Sequence, residues 1–489
     1  MLGLFVRVAK KNSLIRCQLS ISRCPMRIIF SILVMLLSQA LPSQGFANPL
    51  RVKGNQFENR MGDQIILRGV NVSGASKVPP FRAIRGPEDF QPLRGWGFNT
   101  VRLLFNWEAF ESVKDRYDES YLTYYLNTVR WAESKGLYVI VDVHQDAFSR
   151  FSIGGCGEGF PQWALPPEQI ALEPRNDDSC EAWFLNAVAD IEMHSAWHHF
   201  YANTWGLRDK YLKMIDRLTL ALAKEPNVIG VDLINEPWGD EESELYQLYI
   251  DAARVVRKNM PETILFLSPV AVTSLGLKAS TLPKIPGRNI VHSTHFYDPE
   301  LLAGSWSQWA LDQSALSWKT IGETWRTPVF LGEFGARPDV KNAREYVNNI
   351  YAHLDANLYS GAIWVYTPTW NFETKDGWNR EDLSIADGEG KLRAVYQPRP
   401  FVEKTPGDLK AMKWDLATMV LSFSYKPKFF SRYFEVIIPS DMRVIDLDAA
   451  GRSIFCKNKA GNRLRCRVSR SLVHFTTDIK IQFAAVNAQ

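Results

Sequence analysis

Long apolar runs are scarce in this chain. Past residue 47 no uninterrupted apolar stretch reaches the ~18 residues that a bilayer-spanning helix needs, so the mature chain is expected to be soluble or peripheral. Charge of one sign is scarce too. Fifty-seven Lys and Arg nearly cancel 53 Asp and Glu, leaving +4, and nothing argues for a nucleic-acid partner. No two cysteines have the close spacing of a zinc site, and no His cluster accompanies them, so no metal centre is expected. Neither an internal repeat nor a low-complexity tract stands out.

What is present is a long chain with globular composition. It has 489 residues, 46% of them apolar, which suits a large barrel plus a smaller second domain. Aromatics make up 12%, with 16 Trp. Most such rings fill cores, but flat indole and phenol faces also suit the apolar faces of sugars.

The N-terminus reads as a targeting segment. Arg27 precedes the apolar run Ile28 to Leu37, and Gly45-Phe46-Ala47 is a small-x-small cleavage site. Residues 1–47 are therefore expected to be a signal peptide, and the mature chain secreted or periplasmic. Residues 1–25 are basic and precede Met26, which is favoured as the true start over an unusually long leader. Cys17 and Cys24 fall in the removed part. Cys156, Cys180, Cys456 and Cys466 remain, and four cysteines allow three connectivities. Cys156–Cys180 with Cys456–Cys466 is the choice in which each pair is local and lies within one domain.

Eight short β-type runs alternate with helical segments. Strands are expected near Ile65–Val70, Thr100–Phe105, Tyr138–His144, Val228–Ile234, Thr263–Ser268, Ile290–His295, Val329–Leu331 and Gly361–Tyr366. Runs such as Tyr138-Val139-Ile140-Val141 suit parallel strands buried on both faces. Amphipathic helices are expected over Tyr121–Lys135 and Lys210–Lys224. The fold class is α/β, a (β/α)8 barrel over residues 48–400. The connection from His144 to Val228 spans about 80 residues, more than a barrel helix needs. It is expected to cap one side of the mouth, stapled by Cys156–Cys180. Pro398, Pro400, Pro406 and Gly407 mark a linker. Residues 401–489 then alternate as an antiparallel β-sandwich domain, with strands near Met419–Phe423, Arg432–Pro439, Val444–Leu447 and Leu472–Thr477.

Polar residues gather just after the strands, where barrel enzymes place their chemistry: Asn71, Asn106, His144, Asn235, Glu236, His295, Tyr297 and Glu333. Asn235-Glu236-Pro237 ends strand four, and Gly332-Glu333-Phe334-Gly335 follows strand seven. Each alone is as well explained by a turn or a surface Glu. Together they place two carboxyls at one mouth, ~5 Å apart, which suits a covalent, retaining glycosidase. Glu236 is the candidate general acid/base, raised in pKa by a nearby carboxylate, and Glu333 the candidate nucleophile. The Asn235 amide suits a sugar 2-hydroxyl. Arg102 needs a buried carboxylate, with Glu333 the candidate. His144, Gln145 and Asp146 are candidates for sugar hydroxyls, and the Tyr297 hydroxyl for Glu333. Trp364, or failing that Trp370, is the candidate sugar platform.

These motifs, with Leu67-Arg68-Gly69-Val70-Asn71 and His295-Phe296-Tyr297, resemble glycoside hydrolase family 5 over roughly residues 55–400. The resemblance implies retention through two glutamates, with no metal or other cofactor. Ser73 to Pro79, His144-Gln145-Asp146 with Ser149, and the trailing sandwich are similar to the endoglycoceramidase subgroup, which cuts between oligosaccharide and ceramide. That similarity implies sugar-headgroup contacts for Lys77 and Asp146 and an apolar groove for lipid near Phe160 and Trp163. It implies a glycosphingolipid substrate, bearing an oligosaccharide or a single hexose, and peripheral contact with membrane or micelle. The basic residues Lys426, Lys428, Arg432, Lys457, Lys459, Arg463 and Arg465 would suit an anionic surface. The rival readings are a polysaccharide endo-β-glycanase with the same two glutamates, and a carbohydrate-binding protein with decayed machinery.

Overall fold

The computed structural model describes residues 50–428, 433–468 and 476–486. The expected signal peptide lies outside them, as do Arg432 and residues 472–475 of the expected last strand.

Three short strands come first: β1 (Leu50–Lys53), β2 (Gln56–Asn59) and β3 (Gln64–Ile65). The barrel strands follow: β4 (Arg68–Val72), β5 (Thr100–Asn106), β6 (Tyr138–His144), β7 (Val228–Asp232), β8 (Ile264–Leu267), β9 (Ile290–Phe296), β10 (Val329–Phe334) and β11 (Ser360–Ile363). Each pairs in parallel with the next, and β11 returns to β4 through Gly361 opposite Arg68, closing the barrel. Among the described residues no helix is long and apolar enough to cross a membrane.

All eight expected strands form, with several ends shifted by one to three residues: β7 stops at Asp232, β10 runs on to Phe334 and β11 stops at Ile363. Ile65 was expected to open the first barrel strand, but it pairs antiparallel with Lys404, and the Ile66 amide donates to the Glu403 carbonyl. The apolar run Ile65-Ile66-Leu67 is buried throughout, so hydrophobicity carries no mark of the change of partner.

The strands beyond the barrel are β12 (Phe401–Thr405), β13 (Gly407–Asp415), β14 (Val420–Pro427), β15 (Tyr433–Ile437), β16 (Met442–Asp448), β17 (Ile454–Lys459), β18 (Arg463–Val468) and β19 (Thr477–Ala485). They build two antiparallel sheets, β1-β2-β3-β12-β15-β18-β17 and β13-β14-β19-β16. β14 and β19 alternate buried and open positions, as a sheet covered on one face must. Phe401, Leu421, Phe423, Phe434, Ile479 and Ile481 share the core between the sheets. Cys456 lies opposite Cys466 across β17 and β18 and is bonded to it; Cys156 is bonded to Cys180.

The first hairpin plugs the end of the barrel away from the site. Leu50, Phe57 and Ile65 cluster with Ile140, Ile264, Phe266 and Phe330 from the barrel interior. Gly230 makes room for that layer, since a Cβ there would lie 2.3 Å from the Phe266 ring. Above it the interior turns polar, with Asn71, Arg102, Asp142, Asp232 and Ser293 all buried.

Two expectations need correction. Phe160 lines no lipid groove. It is buried and stacked on Phe148 at 4.1 Å, with Trp107, Trp197 and Phe200 around it, so its ring is core. Trp163 packs edge-on against Trp107 and donates its indole N–H to the Glu111 carbonyl. Of the C-terminal bases, Lys426, Lys457 and Lys459 are exposed, while three others are engaged by carboxylates. Lys428 bonds Glu58 at 2.8 Å, Arg463 is held by Glu403, and Arg465 by Glu435 at 2.6 Å.

Candidate active site

The site begins inside the barrel with one arginine. Arg102 on β5 is fully buried and faces three carboxylates: Glu333 on β10 at 2.7 Å, and Asp142 on β6 and Asp232 on β7 at 2.9 Å each. It also donates to the side-chain oxygens of Asn71 (3.0 Å) and Asn235 (2.8 Å). A guanidinium has five donors in a fixed plane, so it can orient several acceptors at once. Its own pKa is raised: burial opposes the charge, but Asp142, Asp232 and Glu333 outweigh that. Asp232, buried beside Asp142, is pushed up to about 7 despite Arg102.

The two candidate glutamates meet at this end of the barrel. Glu236, His295 and Glu333 each offer an atom within 4.8 Å of the others. The Tyr297 hydroxyl donates to Glu333 Oε2 at 2.9 Å. His295 Nδ1 lies 2.8 Å from Glu236 Oε1 and 3.7 Å from Glu333 Oε2. Burial lowers the His295 pKa to about 4, Glu333 only partly opposing it, so the ring is neutral at pH 7. Close approach here depends on Gly332, where a Cβ would lie 2.7 Å from His295 Nε2 and 2.6 Å from Ser293 Oγ.

The glutamates differ in environment. Burial pushes Glu236 up to about 8; Asp146 adds to this, while a Ser274 hydrogen bond and the His144 and Lys77 charges oppose it. Burial also raises Glu333, and there the Arg102 charge pulls back toward the ionised form. The direct Arg102 and Tyr297 contacts favour ionisation of Glu333 before Glu236. The carboxylate raising Glu236 most is Asp146, a residue expected only to bind sugar.

Beside the pair lies a buried charged row. Lys77 Nζ is 2.5 Å from Asp146 and 3.7 Å from Glu381, and its pKa is raised because Asp146 and Glu381 outweigh its burial. Asp146 is held near 2, with Lys77 the main force against its burial. His144 contacts Asp142 at 2.6 Å and, burial notwithstanding, is raised to about 10 chiefly by Asp142. Its ring stacks on Trp364 at 5.3 Å and 10°. His144, Asp146 and Glu158 come close enough to ligate a cation, but the Lys77 ammonium already stands against Asp146.

Thus Lys77, Arg102, His144, Asp146, Asn235, Glu236, His295, Tyr297, Glu333 and Trp364 come together. Trp370 is held elsewhere: its indole N–H donates to Asp382, and Arg393 lies over its ring at 4.2 Å. Gln145 was expected to meet sugar. Its amide instead donates to the carbonyls of Asn235 (2.6 Å) and Glu236 (2.9 Å). Asp142, Asp232 and Glu381 had no expected role. An acid inside an apolar strand, as in Val141-Asp142-Val143, was the readable signal, because a buried carboxylate needs a cation.

Comparison with known proteins follows the same lines. The family profile described as Cellulase (glycosyl hydrolase family 5) matches residues 60–369. The chain belongs to glycosyl hydrolase family 5. Endoglycoceramidase I of Rhodococcus hoagii is 29% identical over 39% of this chain and 37% of its own length. A glucosylceramidase of Cryptococcus neoformans var. grubii is 36% identical over 39% of this chain and 33% of its own. The chain thus spans well under half the length of these relatives. Endo-glycoceramidase II from Rhodococcus sp. shares the fold at TM-score 0.70 and 21% identity, covering 87% of this chain and 98% of that one. Sterylglucosidase 1 of Cryptococcus neoformans does so at TM-score 0.73 and 16% identity, covering 91% and 100%.

Proposed function

We propose that this family 5 protein is a retaining β-glycosidase that splits the bond between sugar and ceramide in glycosphingolipids. The observation carrying the mechanism is two carboxyls with an atom pair within 4.8 Å, one paired with Arg102 and the other raised to about 8. That spacing suits direct attack rather than attack through an intervening water. The Glu333 carboxylate attacks the anomeric carbon while protonated Glu236 gives its proton to the glycosidic oxygen, and the ceramide alcohol leaves. Glu236, now ionised, takes a proton from water, the water oxygen attacks the same carbon, and the sugar leaves with its β configuration retained. Arg102 and Tyr297 hold the nucleophile ionised and oriented. Asn235 supplies an amide for the adjacent hydroxyl.

The lipid half of the reading draws on relatives named for endoglycoceramidase and glucosylceramidase activity. Two disulfides and the leader-like first 47 residues support export from the cytoplasm. Exposed Leu185, Val188 and Ile191, next to Trp183 of the insert, support peripheral contact with a lipid surface.

The test is hydrolysis of detergent-dispersed glucosylceramide, lactosylceramide and a ganglioside against soluble β-glucan, with products identified by mass. Release of ceramide from at least one of these lipids is expected. Cleavage of glucan alone would replace the lipid reading with an endo-β-glycanase. The mechanism is tested by Glu236→Ala with added azide, which should yield a β-glycosyl azide; an α product would exclude retention.

A further inference from the structure

The sugar side of the site is walled. The proton donor Glu236 marks the side on which the leaving group departs, so the glycone lies the other way, over Trp364. From Asn235 onward a chain of polar atoms runs round that position. Asn235 Nδ2 is 3.5 Å from Asp146 Oδ1, His144 Nε2 is 3.5 Å from Asp146 Oδ2, and Lys77 bridges Asp146 and Glu381. Side chains in this order offer donors and acceptors to the hydroxyls of one hexose.

Beyond them stands a row of packed rings. Lys77 Nζ is sandwiched between the rings of Trp364 (4.4 Å) and Trp378 (3.9 Å), and the residue is only 2% exposed. Behind Trp378 stands Trp183, 5.0 Å away, its indole N–H directed to Glu381 at 3.3 Å. Trp183 belongs to the insert before β7, and Trp378 to the loop after β11. The two are fastened together. Asn379 donates its amide N–H to Asn176 (2.6 Å) and its side chain to the Cys156 carbonyl (2.6 Å), and Asn176 donates to the Gly377 carbonyl (2.9 Å). Arg380 pairs with Asp178 at 2.9 Å, and the Cys156–Cys180 bond ties the insert to itself. Gly377 lets the loop lie flush: a Cβ there would sit 2.8 Å from that of Ala75. A second sugar joined to the far end of the first would need the volume that Lys77, Trp378 and Trp183 fill.

We infer that the pocket accepts one hexose at the non-reducing side, so that the protein removes a single β-linked hexose and does not release an intact oligosaccharide. The inference rests on the glycosidase reading above but not on its lipid half. Soluble methylumbelliferyl glycosides separate the two, because their aglycone is not ceramide. The β-glucoside and β-galactoside are compared with the β-lactoside and β-cellobioside. At least one hexoside should be cleaved, with disaccharide release slower in kcat/KM by about a hundredfold or more. Lactose or cellobiose released at a comparable kcat/KM would overturn the inference. A turnover-free measurement runs in parallel: isofagomine, a hexose-sized iminosugar, should raise the thermal midpoint of the full chain, and its glucosylated cellobiose mimic should not. Equal stabilisation by both would also overturn it. Trp378→Ala, which removes the wall, should raise the disaccharide-to-hexoside ratio at least about tenfold. An unchanged ratio in a folded variant would refute the wall.

Discussion

The side-chain amide of Gln145 donates to the main-chain oxygens of Asn235 and Glu236, at 2.6 and 2.9 Å, while its own oxygen accepts from the Phe148 amide at 2.9 Å. Glu236 has φ of +35°, a backbone state that a non-glycine residue keeps only when its surroundings impose it. Gln145 is thus a positioning residue for the proton donor. Gln145→Ala should lower kcat/KM up to about a hundredfold on alkyl glycosides, whose leaving group needs a proton. It should cost far less on dinitrophenyl glycosides, which leave unaided. Equal losses on both would reduce Gln145 to a fold residue.

The alkaline side of the pH profile reports on Glu236. The group must carry a proton to act, and it is raised to about 8, so kcat/KM should fall as pH rises through that region. Asp146 contributes to the raise, and Asp146→Asn should therefore move this limb to lower pH. A limb that stays in place would remove Asp146 as a cause.

Burial of the same carboxyl has a cost to the fold. The folded pKa lies above the ordinary 4.5, so the contribution of Glu236 to stability is full at acid pH and is lost as pH rises through the folded value. Glutamine does not titrate. The thermal midpoint of Glu236→Gln minus that of the wild type should widen from about pH 5 to pH 8 and then level. A constant difference across that span would contradict the raised value.

Gly332 is required for space. Gly332→Ala would bring a methyl to 2.7 Å from His295 Nε2, displacing the ring that contacts both glutamates. Overpacking of this kind costs about 1–3 kcal/mol in stability. Activity should fall further than that stability loss explains, as read from kcat/KM well below the thermal midpoint. Normal turnover would show that His295 has room to spare.

Much of this was legible beforehand. The eight strands could be read as short apolar runs, and the two glutamates because each directly follows such a run, where a buried strand has no structural use for it. The local disulfides could be read because each pair of cysteines is near in sequence. The Arg102–Glu333 contact could be anticipated because a buried guanidinium demands an anion, but its sharing among Glu333, Asp142 and Asp232 could not, since inward-facing residues on separate strands meet only when the barrel closes. Gln145 was misread because the same amide suits a sugar hydroxyl and a main-chain carbonyl equally well. Glu381 and Trp378 lie in the loop after β11, more than 230 residues from Asp146, and no periodicity links them.

The first hairpin has a consequence for how this chain can be cut. Through β3 pairing with β12, residues 50–65 are strands of the same sheet as the C-terminal region, and they also stop the floor of the barrel. A fragment ending just before β12 would expose both the edge of β3 and the apolar surface beneath it. Transplanting the C-terminal sheets to another barrel would need residues from both ends of the chain. Residues 50–65 and the C-terminal strands behave as one clasp, and swaps that respect only the linear order of the sequence would open it.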